Sequence, residues 1–222
     1  LINRTVMAIL PPRSLPRMAL RDGISKELRT VVAVPTLLTS RQAIDEQVER
    51  LEVHYLANSD DDLRFALLSD WRDAPSESIP GDAELLARAV EGIAHLNKRY
   101  GPAAEGGARF VLLHRRRVWN EPEQVWMGWE RKRGKLHELN QWLRGSTSTT
   151  FMSVGGQPPE AIPSVRFVIT LDADGQHDPS FVMKLLKEVQ NDSVDVVIGS
   201  RFMGEGSYRP SRLKKLGIAY FR

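Results

Sequence analysis

The apolar positions of the chain fall into short unbroken runs alternating with longer stretches of helical period. Residues 29–34 (RTVVAV), 63–68 (LRFALL) and 110–113 (FVLL) are rich in β-branched and large apolar side chains and are too short for helices. Such runs predict strands buried on both faces of a sheet. Pro35 is expected to stop the first of them. Between the first two runs, Ile44, Val48, Leu51 and Tyr55 recur at helical spacing after Thr39 or Ser40, either of which can cap a helix, and Asn58-Ser-Asp-Asp-Asp ends the pattern. Between the second and third, Leu85, Leu86, Ala89, Val90, Ile93 and Leu96 predict a helix over 82–100, closed by Gly101-Pro102. The resulting β-α-β-α-β alternation specifies an α/β fold with a mostly parallel sheet and covering helices.

The pattern resumes at Arg166, where the apolar run RFVIT leads into LDADGQHD. Pro179 then begins a helix carrying Phe181, Val182, Leu185, Leu186 and Val189. Residues 194–198 form another strand, left by Gly199-Ser200-Arg201. A loop over 203–210 holds Gly204, Gly206 and Pro210, and 211–222 reads as a basic helix with Leu213, Leu216, Ile218 and Tyr220. Residues 144–163, rich in Gly, Ser, Thr and Pro, form a loop to which no chemistry is assigned.

Composition narrows the picture mainly by exclusion. With 222 residues, 41% hydrophobic and 27% charged, the chain is an ordinary globular protein able to bury a core in one domain without staples. It contains no cysteine, so disulfides and cysteine metal sites are ruled out, and its five histidines show no zinc-binding spacing. A net charge of +3 is compatible with phosphate-rich ligands but too weak to argue for nucleic acid. No run approaches the ~20 apolar residues of a spanning helix, and the first ten residues are broken by Asn3 and Arg4 and lack a signal-peptide cleavage site. Residues 1–28, with Pro11, Pro12 and Pro16 among Arg4, Arg13, Arg17 and Arg21, read as a basic lead, either a solvated tether or a membrane-surface segment. The domain proper is expected over 29–222, and a start at Leu1 rather than Met leads to the expectation of a fragment.

The densest candidate chemistry is Asp172 and Asp174, one residue apart where an apolar strand ends. Open α/β sheets bind ligands at that carboxyl edge. Two such carboxylates repel unless a cation lies between them. Mg²⁺ suits the pair, because it takes one or two carboxylates and fills its other positions with water and substrate phosphate oxygens; Gln176 supplies a further oxygen. A phosphatase that uses Asp-x-Asp-Gly would carry this strand early, with more fold downstream. An EF-hand loop counted from Asp172 would need Gly at His177 and Glu at Met183. Asp178 is accounted for as a cap of the Pro179 helix, but the pair before it is not. Asp70 and Asp73 also follow a strand, where the plain reading is a turn or a cap. Four of the five tryptophans, Trp119, Trp126, Trp129 and Trp142, lie among Arg131, Lys132, Arg133 and Lys135. That mixture fits a sugar or nucleotide platform as well as it fits a core edge with a basic solvated face.

LDADGQHDP, followed by a helix and DVVIGSRF, resembles the metal-binding core of family 2 glycosyltransferases, in particular those acting on polyprenyl phosphates in the manner of dolichol-phosphate mannose synthases. VPTLLTS, FALLSDWRDAP and WNEPEQVWMGWERKRGKLHELNQWLRG are similar to the glycosyltransferase domain of cyclic β-1,2-glucan synthases, large bacterial membrane enzymes that polymerise glucose from UDP-glucose. The two resemblances meet near Asp172. Both imply a GT-A nucleotide-sugar-binding fold with helices on both faces of the sheet, incomplete at its carboxyl end, and a bound Mg²⁺ or Mn²⁺. They imply that Asp172, Asp174 and Gln176 hold the metal and that Pro35, Asp70, Lys135 and Asp172 bind the nucleotide sugar. Asp70 matches the aspartate that contacts the base, and Gly134-Lys135 with Leu139-Asn140 matches the motif opening the helix before the metal strand. There Lys135 would offer its ammonium and free backbone N–H groups to a diphosphate. Arg201 and Arg212 match residues that bind acceptor phosphate. The acceptor would be a glucan or a polyprenyl phosphate, and the setting the cytoplasmic face of a bacterial inner membrane, as part of a membrane protein. No residue is designated as catalytic base.

Overall fold

The computed structural model describes residues 24, 26–103, 106–153, 162, 165–171, 182 and 186. Strands β1 (Thr30–Leu38), β2 (Leu63–Trp71), β3 (Phe110–Arg115) and β6 (Phe167–Thr170) form a parallel sheet in the order β3-β2-β1-β6. A two-stranded antiparallel hairpin, β4 (Val118–Asn120) and β5 (Val125–Met127), leaves the carboxyl edge after β3. Helices α1 (Arg41–Ala57) and α2 (Asp82–Tyr100) make the first two crossovers, and α3 (Arg131–Leu143) follows the hairpin.

Alternation along each strand decides which helix covers which face. Val32, Val34, Phe65, Leu67 and Phe110 point to one side and pack with Leu51 of α1 and Ile93 and Leu96 of α2. Val31, Ala33, Ala66, Leu68, Val111 and Leu113 point to the other and pack with Leu139 of α3, Phe151 and Ile162. The sheet therefore has helices on both faces, the GT-A arrangement that the resemblance implies. Ser40 caps α1, its hydroxyl accepting from the Ala43 N–H at 3.2 Å. Ile24 joins the α1/α2 core, and Lys26–Leu28 forms a 3₁₀ turn entering β1.

Pro35 does not stop β1, which runs on to Leu38. The Ala33 carbonyl accepts from the Leu171 N–H, one residue past β6, so alternate residues place the Pro35 nitrogen toward β6 and away from β2. The described β1–β6 register ends at Ala33–Thr170, while the β1–β2 register continues through Pro35–Leu68 to Leu38–Trp71. A missing N–H on that side costs the β1–β2 ladder nothing. β2 and β3 likewise outrun their apolar cores, ending at Trp71 and Arg115.

Candidate functional site

The extra residues at the strand ends build a buried charged cluster on the α3 side of the carboxyl edge. Asp70 of β2 and Arg115 of β3 are partners in the parallel register. Arg115 donates to both carboxylate oxygens of Asp70, Nε to Oδ1 at 2.7 Å and Nη2 to Oδ2 at 2.9 Å. Lys135 Nζ lies 3.2 Å from Asp70 Oδ2 and donates to the Thr36 carbonyl of β1 at 2.5 Å. Arg115 also reaches Glu138 Oε2 at 3.2 Å. Arg115, Asp70 and Lys135 are all under 4% exposed, so solvent screens these pairs little. Two cations and two carboxylates leave the cluster neutral as a unit, the condition under which buried charge is tolerated.

Helix α3 turns this face inward because Gly134, Lys135, Glu138 and Leu139 are its buried stripe. Two glycines permit the approach. A Cβ on Gly128 would stand 2.7 Å from Asp70 Oδ2, and one on Gly134 would stand 2.0 Å from the Trp129 carbonyl oxygen. That carbonyl accepts from Arg115 Nη1 and Nη2, both at 3.2 Å. Glu138 in turn accepts from the Thr149 and Thr150 hydroxyls at 2.8 Å each and from the Thr150 N–H. Residues 149–151 of the loop to which no chemistry is assigned are thereby tied to the cluster, and Phe151 bridges to Arg115.

Burial pushes the Lys135 ammonium below the usual lysine range, an effect Asp70 opposes and Arg115 and Lys132 reinforce. Burial would raise the Glu138 carboxyl, yet its bonds from Thr150, Thr149 and Arg115 hold it below the ordinary value. Burial also disfavours charge on Arg115, but its bonds to Asp70 and Glu138 raise its pKa.

The opposite side of the same edge holds a second polar pair. Ser69 and His114, again register partners, lie 2.8 Å apart from Oγ to Nδ1. His114 is fully buried beside the Trp71 ring, and its Nε2 has no partner among the described residues. Arg117 lies over Trp71 and donates to Asp82 Oδ2 at 2.5 Å. Desolvation first, then the charge of Lys135 with lesser help from Arg117 and Arg115, pushes His114 down to about 3 against the pull of Asp82. Below the unfolded value of about 6.5 the unfolded chain binds a proton that the folded chain refuses, so stability should fall with pH from about 6.5 toward about 3, by at most about 1.4 kcal/mol per unit. Urea midpoints measured across that window should slope less in His114→Asn than in the wild type; parallel curves would contradict the assignment.

The structure thus brings together Asp70, Lys135 and the buried Pro35 on neighbouring elements at one sheet edge. One expectation about Lys135 is corrected. It is the fifth residue of α3, past the first four free N–H groups, and its ammonium is engaged by Asp70 and Thr36. Asp73, read as a turn or cap residue, pairs with Arg131 at 2.9 Å. The chain leaving β6 runs toward the same edge at Leu171, but Asp172, Asp174, Gln176, Arg201 and Arg212 lie outside the described residues. Among the described residues no three acid, His or Cys side chains converge as a metal site, and no helix is long and apolar enough to cross a membrane. Sequence reading missed Arg115, Glu138, Ser69 and His114. The available signal was HRRR directly after an apolar strand, facing Ser-Asp at the end of its neighbour.

Comparison with known proteins gives concordant results. Residues 164–221 match the family described as glycosyl transferase family 2. Over 186 residues, 84% of this chain and 6% of the other, the sequence is 48% identical to cyclic beta-(1,2)-glucan synthase NdvB of Rhizobium meliloti (strain 1021). Over 88 residues, 38% of this chain and 33% of the other, it is 33% identical to a UDP-N-acetylglucosamine--dolichyl-phosphate N-acetylglucosaminyltransferase of Methanococcus voltae. An uncharacterized protein of Methanocaldococcus jannaschii is 35% identical over 79 residues, 36% of this chain and 30% of that protein. The chain therefore spans a small part of the glucan synthase and about a third of the two archaeal proteins. It resembles a family 2 glycosyltransferase domain of the GT-A type, extensively like the glucan synthase and more weakly like the dolichyl-phosphate enzyme.

Proposed function

We propose that the chain is the donor-binding part of a glycosyltransferase that uses UDP-glucose to build a bacterial glucan such as cyclic β-1,2-glucan. The observation that carries this reading is the 48% identity to the glucan synthase across 84% of the chain, a span that includes most of the sheet and its charged edge. Asp172, Asp174 and Gln176 would hold Mg²⁺ or Mn²⁺, since two carboxylates and an amide are the hard oxygen donors these ions prefer. A cation there would offset charge on the leaving diphosphate. Pro35, Asp70, Lys135 and Asp172 form the nucleotide-sugar side of the site. Because both Asp70 oxygens are engaged and buried, its part is to hold Lys135 and Arg115 in a cluster that is neutral as a unit and fixes the strand ends at that edge, so positive charge toward the diphosphate would come from the metal ion. In the reaction the acceptor oxygen bonds to the anomeric carbon, the bond from that carbon to the diphosphate breaks, and its electron pair leaves with UDP. A glucan hydroxyl must also lose its proton to a base. We place the chain at the cytoplasmic face of an inner membrane, within a larger membrane protein.

A second reading, transfer to a polyprenyl phosphate, is favoured by the family match over 164–221 and the likeness to the dolichyl-phosphate enzyme. Such an acceptor is already an anion and needs no base. Arg201 and Arg212 would bind it, the planar guanidinium suiting phosphate oxygens. Incubating the chain with radiolabelled UDP-glucose, Mn²⁺ and either acceptor separates the readings. Label in glucan supports the first, and label in lipid alone supports the second. On the second, Arg201→Ala and Arg212→Ala should suppress lipid labelling while sparing UDP affinity. UDP binding without label in either product would identify a binding fragment without turnover.

A further inference from the structure

The tryptophan-rich segment divides into two kinds of residue. Trp142 packs edge-on against Phe151 at the α3 core, as a structural residue would. Trp129 is 47% exposed, although its own carbonyl is held by the buried Arg115 and its backbone is pressed against Gly134. A large aromatic ring is thus presented to solvent from a fixed backbone. Beside it lies a hollow of about 220 Å³ lined by Asn120, Glu123, Met127, Trp129, Glu130 and Arg131.

The backbone around this hollow is unusual. Among the described residues, the non-glycine residues with positive φ are Gln124 (52°), Glu130 (51°) and Arg131 (45°). Two of them line the hollow and the third neighbours Glu123. Side chains other than glycine enter that region at a cost, and such residues gather where a site must be held in shape. Here two of them, Glu130 and Arg131, make the turn into α3. The walls are also cross-braced, with Arg131 on Glu123 at 2.6 Å and on Asp73 at 2.9 Å.

We propose that this hollow binds a neutral hexopyranose unit of a glucan chain, apart from the donor site. An indole face accepts the apolar C–H face of a pyranose ring, while the hydroxyls around the ring's rim can donate to the carboxylates of Glu123 and Glu130 and accept from Arg131. Three carboxylates, Asp73, Glu123 and Glu130, pair here with two guanidiniums, Arg131 and Arg133, and the excess negative charge disfavours a phosphate, which separates this site from one for nucleotide or lipid phosphate. One wall packs apolar surface and the rest carry directional polar groups, the usual division in a small-molecule site. The identification of the sugar as glucan rests on the proposed function; the preference for a neutral saccharide rests on the hollow itself.

The test is a calorimetric titration of the intact chain with a short linear β-1,2-glucan, without nucleotide or metal. Saturable binding is expected, weakened about tenfold or more in Trp129→Ala and largely retained in Trp129→Phe, with UDP affinity unchanged in both variants. Trp129→Ala removes a solvent-facing ring and should fold, which its circular dichroism and thermal transition would verify. Failure of the wild type to bind the saccharide, or equal binding by Trp129→Ala, overturns the inference. Saccharide binding that needs Trp129 in a chain that ignores UDP would uphold this site and remove the donor reading instead.

Discussion

Asp70→Ala should cost about 3–5 kcal/mol of folding stability, the usual penalty for breaking a buried ion pair from one side. The substitution removes the carboxylate that Arg115 grips with two nitrogens and that Lys135 faces at 3.2 Å. Both cations then remain buried, with carbonyls and Glu138 as their remaining partners among the described residues. Domains of this kind are stable by roughly 5–15 kcal/mol in all, so such a loss would bring the variant near its threshold. Urea denaturation followed by circular dichroism measures it directly. Adding Lys135→Met to Asp70→Ala removes one stranded charge and should recover part of the loss, the non-additivity expected of contacting residues. A loss below about 1 kcal/mol for Asp70→Ala, the size associated with exposed pairs, would mean that water reaches the cluster.

This cluster was hard to read from the sequence for a physical reason. Strands were recognised by apolar character, and β1, β2 and β3 all continue beyond their apolar runs, to Leu38, Trp71 and Arg115. A charged residue at a strand end looks like the beginning of a loop. Arg115 is compatible with the sheet only because Asp70 stands beside it in register, and that pairing exists only after the strands are aligned. Helix α2 was legible to its ends, since its stripe and its Gly101-Pro102 stop are local signals. The start of α3 was displaced because Glu130 enters it in a left-handed conformation without a side-chain cap, leaving Gly134 as the visible cue. Gly134 marks instead the place where helix and Trp129 carbonyl meet. Asp70 and Lys135 were found, but as groups facing a ligand; their mutual contact and deep burial follow from packing.

The second large effect concerns the acids after β6. Asp172 and Asp174 are separated by one residue, so their mutual repulsion must be relieved by a cation when a diphosphate is also present. Asn at both positions keeps size and one oxygen donor each while removing both charges, so it should abolish metal-assisted binding without emptying the site of side chains. Isothermal titration of the intact chain with UDP, in the presence and absence of Mn²⁺, set beside the Asp172→Asn/Asp174→Asn variant, is therefore the most direct measurement of whether this sheet edge is a metal-assisted nucleotide-sugar site. The wild type should bind UDP about tenfold or more tightly with Mn²⁺, a gain of about 1.4 kcal/mol or more, and the variant should show the same weak affinity in both conditions. A variant that retains the full metal-dependent gain, or a wild type indifferent to Mn²⁺, would contradict it.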